Sequence, residues 1–331
     1  MDNERFTENP FGELTLSAHD RAKLLEIADS VVMAKFEEYE EHLNNEKQVD
    51  LGRWKKFTKS GQTTMYLERK KSSPHAKLPA LLMVGPLPGS LDENMFGIVN
   101  PTIEAMRIKS SYLKDFSAAA VLATIVEPTV DEPFRSVVVK WMEIDIPGAS
   151  IGIEGPDRTD CRGTGIMDPG GDMIRAMAVM GMVQATMAGL KYSYCGQMKK
   201  IAWLLEQKQA SREKGTPAIK PFCVTCTKGV KSSRLSGPVN TCKLCFGAIC
   251  GSCKITKKLS FIAPDLTLAQ RKVTFCVKCM VDATQMDTQE AAREQFVYKK
   301  SVTPGLYGFP VASTASTCSE SALTALTGYS G

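Results

Sequence analysis

Cys223-Val-Thr-Cys226, Cys242-Lys-Leu-Cys245, Cys250-Gly-Ser-Cys253 and Cys276-Val-Lys-Cys279 are four equally spaced pairs within 57 residues, separated by 15, 4 and 22 residues. Two residues between cysteines close a tight knuckle that can aim both sulfurs at one ion, at about 2.3 Å. Four pairs therefore make two tetrahedral sites. Sites with four cysteine ligands are closed, leaving no position for water or substrate, so they stabilise structure rather than catalyse. The short gap between the second and third pairs favours a cross-brace. In it, Cys223, Cys226, Cys250 and Cys253 hold one ion, while Cys242, Cys245, Cys276 and Cys279 hold the other. The expected cofactor is two structural zinc ions. Cysteines that merely pack would not fall into four equal spacings, and the remaining three, Cys161, Cys195 and Cys318, are scattered singly.

Around this cluster the chain is ordinary in composition: 331 residues, 43% hydrophobic, 23% charged and a formal charge of +5. That length suits about two domains. The balance excludes a collagen-like repeat, a wholly disordered chain and a strongly basic nucleic-acid packer, so no nucleic-acid partner is expected. The acidic start lacks an apolar signal region, and the longest apolar run, Ala176–Leu190, is 15 residues, short of the roughly 20 that span a bilayer. The chain is expected not to be transmembrane. Paired cysteines without a secretion signal point to a reducing, cytoplasmic setting, peripheral on endomembranes if the chain docks to lipid.

Charge marks the boundaries. Residues 1–50 carry 13 acids and 5 bases, whereas residues 215–283 carry 11 bases and 2 acids. Eight thiolates and two zinc ions would reduce the second region from +9 to +5, still attractive to an anionic surface. Lys228, Lys231 and Arg234 with Val230 and Leu235, then Lys254, Lys257 and Lys258, are the bases concerned. Solvation of a small domain and protein docking explain such lysines equally well. The tail from 301 holds one acid, no Lys or Arg and many small polar residues, so disorder is expected. The divisions are an N-terminal segment 1–15, a first domain 16–209, a linker 210–221, the cysteine module 222–284, a short helix 285–300 and the tail 301–331.

In the first domain Leu24, Ala28 and Val31 recur at helical spacing within Ser17–Leu43. Strands follow near 52–58 and 62–69, the latter alternating Met65 and Leu67 against Thr64, Tyr66 and Glu68. Gly85-Pro-Leu-Pro-Gly89 is read as a breaker, and Ser90 with Glu93 as a capping box opening a short helix. A helix is expected to run from Pro101 to Lys114, and buried strands over 116–127 and 134–145. Residues 151–171 read as a loop, for five strands at most. A long helix, 172–209, carries Met173, Met177, Met180, Met182 and Met187. It is either a core helix packed on the sheet or a lid over an apolar cavity.

The cysteine spacing, with Cys242-Lys-Leu-Cys-Phe-Gly247, resembles the FYVE-type zinc finger and its FYVE-related relatives. Members that read phosphatidylinositol 3-phosphate carry basic, histidine-containing neighbours about the third cysteine. Here Pro238-Val-Asn-Thr241 precedes it, and only Lys243 matches. The segments Gly52-Arg-Trp-Lys55, Tyr66-Leu-Glu-Arg69, Met83-Val-Gly-Pro86, Met106-Arg-Ile-Lys109, Pro128–Arg135, Val139-Lys-Trp141 and Lys199–Leu205 resemble, in order, a START-like lipid-binding domain paired with such a finger. That resemblance implies an α+β helix-grip fold, an antiparallel sheet around a long C-terminal helix, here shortened, with an apolar lipid as ligand.

No catalytic residue is expected. His19, His42 and His75 lie in polar surroundings, and no His-x-Glu accompanies the cysteines. Gly163–Gly171 lacks the Lys-Ser/Thr of a phosphate loop. The chain is expected to be a non-enzymatic zinc-binding adaptor, with a START-like lipid-binding module and a finger that docks on membrane or protein. Lys228, Lys231, Arg234 and Lys243 are the candidate lipid contacts. The alternative is a FYVE-related protein-interaction scaffold of the small-GTPase effector type, with a degenerate first domain and no lipid ligand.

Overall fold

The structure is a computed structural model that describes residues 11, 14–70, 78–114, 118–143, 158–165, 175–212, 221–230, 240–263 and 267–302. It is α+β, with small antiparallel sheets, and divides into two units. The first comprises Met1–Pro128 and Phe134–Cys195, the second Thr129–Pro133 and Gly196–Gly331. Of the expected disordered tail, 301–331, residues 303–331 lie outside the described residues, as does 213–220 of the expected linker, while 301 and 302 end a helix.

The first unit opens with α1 (Ala18–Asn44), started by a capping box between Ser17 and Asp20. Leu24 and Ala28 are half-buried, but Val31 is exposed. The Arg21 guanidinium donates to the Thr124 carbonyl at 2.6 Å. His42, expected to be exposed, is buried in the helix's last turn, while His19 is exposed. His75 lies outside the described residues.

Four strands, β1 (Trp54–Ser60), β2 (Thr63–Glu68), β3 (Leu81–Pro88) and β6 (Arg158–Gly165), form one sheet in that spatial order. Two of these correct the sequence reading. The 85–89 breaker falls largely inside β3, because β6 pairs along residues 81–88 even though β2 pairs only with 81–84. Pro86 and Pro88 thus sit beyond the β2 ladder, where their missing N–H groups cost no bond on that side. β6 crosses the expected loop and pairs along the whole of β3, Leu81 opposite Gly165 and Pro88 opposite Arg158. Its glycines and charges give no alternating pattern, so the ladder with β3 was not visible in the sequence.

Alternation in β2 serves both sheet faces. Met65, Leu81, Met83 and Leu87 pack with Ala178, Met182 and Val183 of α4 (Arg175–Met187). Trp54, Ala80 and Leu82 pack on the other side with Tyr66 and Val84. The methionine helix is therefore core-packed through Met182, with Met187 beside it, while Met177 and Met180 are exposed. Met173 is outside the described residues. The expected single long helix is interrupted after α4 by a 3-10 turn, Ala188–Lys191, before α5 (Tyr192–Arg212). Gly189, a weak helix former, lies at the break, where an added Cβ would meet the Tyr192 ring at 3.0 Å.

Between β3 and β6 lie α2 (Leu91–Ile98), α3 (Ile103–Leu113), and the pair β4 (Ala118–Val126) and β5 (Val137–Glu143), which is a separate sheet. The Ser90–Glu93 capping box forms as the sequence suggests. α3 lays Met106 and Ile103 on Ala119 and Val121 of β4. The first unit thus has six described strands where five were expected.

In the second unit, β7 (Lys254–Ile262) and β8 (Leu268–Cys276) form an antiparallel hairpin, followed by α6 (Val277–Gln285) and α7 (Thr288–Val302). Residues of α5 from Gly196 onward belong to this unit, and the helix continues to Arg212, into the expected linker. Trp203, almost fully buried, donates from Nε1 to Glu294 at 3.1 Å and meets Tyr298 edge-on.

Candidate metal centre

Two knuckles are built alike. Cys223 N–H donates to the Lys228 carbonyl, Thr227 N–H to Cys223 and Val230 N–H to Pro221; nineteen residues on, Cys242 donates to Gly247, Phe246 to Cys242 and Ile249 to Asn240. Isolated bridges close each, Phe222 with Gly229 and Thr241 with Ala248. Thr227 and Phe246 both take φ of +60°. This left-handed conformation costs an ordinary residue about 1–2 kcal/mol, a cost offset when the turn delivers two ligands. The knuckles also touch. Val224 N–H donates to Ala248, and a Cβ on Gly247 would strike Val224 Cγ1 at 2.1 Å.

The other two pairs use helix starts. Cys250 and Cys253 bracket a 3-10 turn, with Cys253 N–H donating to the Cys250 carbonyl. Cys276 caps α6, its sulfur accepting from Cys279 N–H at 3.4 Å. The hairpin fixes their separation, since Lys254, next to Cys253, lies opposite Cys276.

The structure gathers Cys223, Cys226, Cys250 and Cys253 into one set, and Cys242, Cys245, Cys276 and Cys279 into another, with the ligand atoms of each set within 4.8 Å of one another. These are the interleaved sets the spacing suggested. Cys226 and Cys250 sulfurs are 3.5 Å apart, and those of Cys245 and Cys276 3.9 Å. A tetrahedron with zinc–sulfur bonds of 2.3 Å has edges of about 3.8 Å. Both sets therefore fit such an ion in size, and all-thiol donors suit zinc.

Acidity is split within each set. Burial opposes charge on Cys223, yet N–H groups of Cys250, Cys226 and Thr225 outweigh it and hold the thiol near 6. Cys242 is lowered likewise, against burial, by N–H groups of Cys245, Cys276 and Leu244. Meanwhile Cys253 is pushed up to about 12 by the Cys226 and Cys250 side chains. Burial lifts Cys245 to about 11, and burial with the Cys242 charge raises Cys279. Within each set, then, some thiols are lowered and others raised. A bound cation would favour the thiolate form of all four.

Among the candidate lipid contacts, Lys228 and Lys243 are exposed, whereas Lys231 and Arg234 lie outside the described residues. Lys243 N–H donates to the Thr274 carbonyl, so its backbone lies alongside β8. Sequence reading missed Lys272. It stands directly opposite Lys258 in the hairpin, and both are exposed. Alternation in Lys254-Ile-Thr-Lys-Lys-Leu259 marks the exposed face of β7 but not its partner: Lys254, Thr256 and Lys258 are exposed, while Leu259 is buried. Compared with known proteins, the chain matches no family model, no curated protein and no solved structure.

Proposed function

We propose that the chain is a non-enzymatic adaptor in which a FYVE-like two-zinc finger docks on an anionic membrane and a START-like first unit holds an apolar lipid. The pair of closed four-cysteine sets carries this reading, because such sites order a small module without offering an open coordination position. Support for an anionic partner comes from Lys258 facing Lys272, with Lys254 on the same hairpin face. Like charges directly opposite in a sheet destabilise it; an anionic surface turns that cost into attraction of about 1 kcal/mol per lysine.

Recognition of a phosphorylated inositol asks for several convergent cations. Beside the third cysteine this chain offers Lys243 alone. Binding is accordingly expected to be salt-sensitive and unselective, following total negative charge and fading as the Debye length falls below about 8 Å. The second reading, a protein scaffold with no lipid, draws on Met182 and Val183 of α4 packing directly on the sheet.

A native mass spectrum of the full chain tests the reading, with two zinc ions and a copurified lipid expected. Zinc without lipid favours the scaffold, and a folded chain without metal overturns both. Vesicles of equal net charge, with and without phosphatidylinositol 3-phosphate, should bind equally at 0.15 M salt. A preference lost on Lys243→Ala would overturn the unselective reading.

A further inference from the structure

We propose that the exposed apolar stripe of α1 docks a basic amphipathic helix of a partner protein. This helix has 27 residues, about 40 Å of length, yet the one residue it buries is His42 in its last turn. Helices in water draw most of their stability from packing an apolar face. Here that face is largely open. Ile27, Val31, Val32, Met33, Phe36 and Leu43 are between 41% and 65% exposed. Apolar residues scattered singly over a surface are ordinary, whereas a contiguous row marks a place of contact.

The row has helical order. Leu25, Val32, Phe36, Tyr39 and Leu43 follow one another at spacings of three, four and seven residues, which stacks them on one side of the helix. Leu25 and Tyr39 are half-buried and the other three are exposed. Such a stripe is the seam into which a second helix sets its own apolar knobs.

Charge selects the occupant. In α1, seven acids stand against Arg21, Lys23 and Lys35. Two of these bases are engaged, Arg21 with the Thr124 carbonyl and Lys35 with Glu38 at 2.8 Å. Asp29 lies one turn from both Leu25 and Val32, and Glu40 one turn from both Phe36 and Leu43. Both acids are exposed, so the stripe has an acidic border. A second copy of α1 would bring like charge against that border, and so would an anionic bilayer. Residues 303–331 of this chain hold no Lys or Arg and lack the complementary charge. A helix whose apolar face is flanked by Lys and Arg satisfies stripe and border together.

The test uses the zinc-loaded full chain at 0.15 M salt and two synthetic helices of about 20 residues, both with leucine at a and d, one with lysine and the other with glutamate at e and g. Calorimetry should show the lysine peptide binding at least about tenfold more tightly than its glutamate twin. Val32→Gln with Phe36→Gln keeps every acid and should weaken that binding about tenfold. In the wild-type chain, hydrogen exchange of the α1 amides should slow when the lysine peptide is added, a readout that stands even where the double variant loses its helix. Equal binding of the two peptides, an affinity unchanged in a folded double variant, or protection confined to other elements overturns the proposal. So does self-association of the free chain that the double variant abolishes, which would make a second copy the occupant. Loss of phosphatidylserine-vesicle binding in the folded double variant would assign the stripe to lipid instead.

Discussion

Lys200 is 1% exposed, and its ammonium donates to the Thr284 and Met286 carbonyls at 3.1 and 2.9 Å and to Thr288 Oγ1 at 3.2 Å. It thus satisfies carbonyls at the end of α6, where a cation also suits the helix dipole. Lys200→Met would leave these acceptors without their donor, and a loss of about 1–3 kcal/mol is expected. Urea unfolding followed by Trp203 fluorescence measures it; an unchanged midpoint would contradict the assignment. The cysteines make a sharper prediction. Cys226→Ser and Cys245→Ser each remove one ligand from a different set, so each variant should retain one zinc rather than two, and the double variant none. Retention of two ions by either single variant would break the pairing. At this scale the ligands were plain in the sequence, because spacing alone carries them. Lys200 was not, since nothing local in Lys199-Lys-Ile-Ala-Trp203 tells which lysine meets a helix end more than eighty residues away.

At the scale of elements, caps were legible and edges were not. Ser17–Asp20 and Ser90–Glu93 form capping boxes because the interaction is local. β6 escaped reading because Arg-Thr-Asp-Cys-Arg-Gly-Thr-Gly gains its structure from the β3 ladder rather than from its own propensity. The same non-local logic created the Lys258–Lys272 pair, visible only once the hairpin register is known. Lys258→Glu replaces a repulsive cross-strand pair by an attractive one and should raise stability by about 0.2–1 kcal/mol. Binding to phosphatidylserine vesicles should fall in the same variant. Thermal melting and vesicle sedimentation, run on one preparation, check both; a destabilised hairpin with intact binding would deny the surface its role.

For the molecule as a whole, two titrations are expected. Metal binding needs deprotonated thiols, so acid should release both zinc ions and unfold the second unit, followed by a zinc-sensitive dye alongside circular dichroism. In the first unit the effect has the same sign but falls at the alkaline end of the pH scale. The folded pKa of Lys140, about 8, lies below its ordinary 10.5, so between those values the unfolded chain binds more protons. Stability then rises with pH across that window. The stability difference between the wild type and Lys140→Met should therefore shift in favour of the wild type from pH 8 to 10.5; no trend, or the reverse, would show that burial does not oppose the charge. A separate cysteine module was legible through charge and cysteine content. Its boundary was not, because the helix from Tyr192 to Arg212 has one continuous pattern although its residues from Gly196 fall in the second unit.

The interleaving of the two cysteine sets has a consequence in time. A chain emerging from the ribosome presents the knuckle of Cys242 and Cys245 before the first set is complete at Cys253, and it must wait 26 further residues for Cys279. At about 5–20 residues per second, that interval lasts roughly one to five seconds. During it the nascent module holds one finished ion cage and one half-built pair of thiols, open to a wrong metal or to oxidation. Delivery of the second ion is thus a matter of the clock of synthesis as well as of affinity.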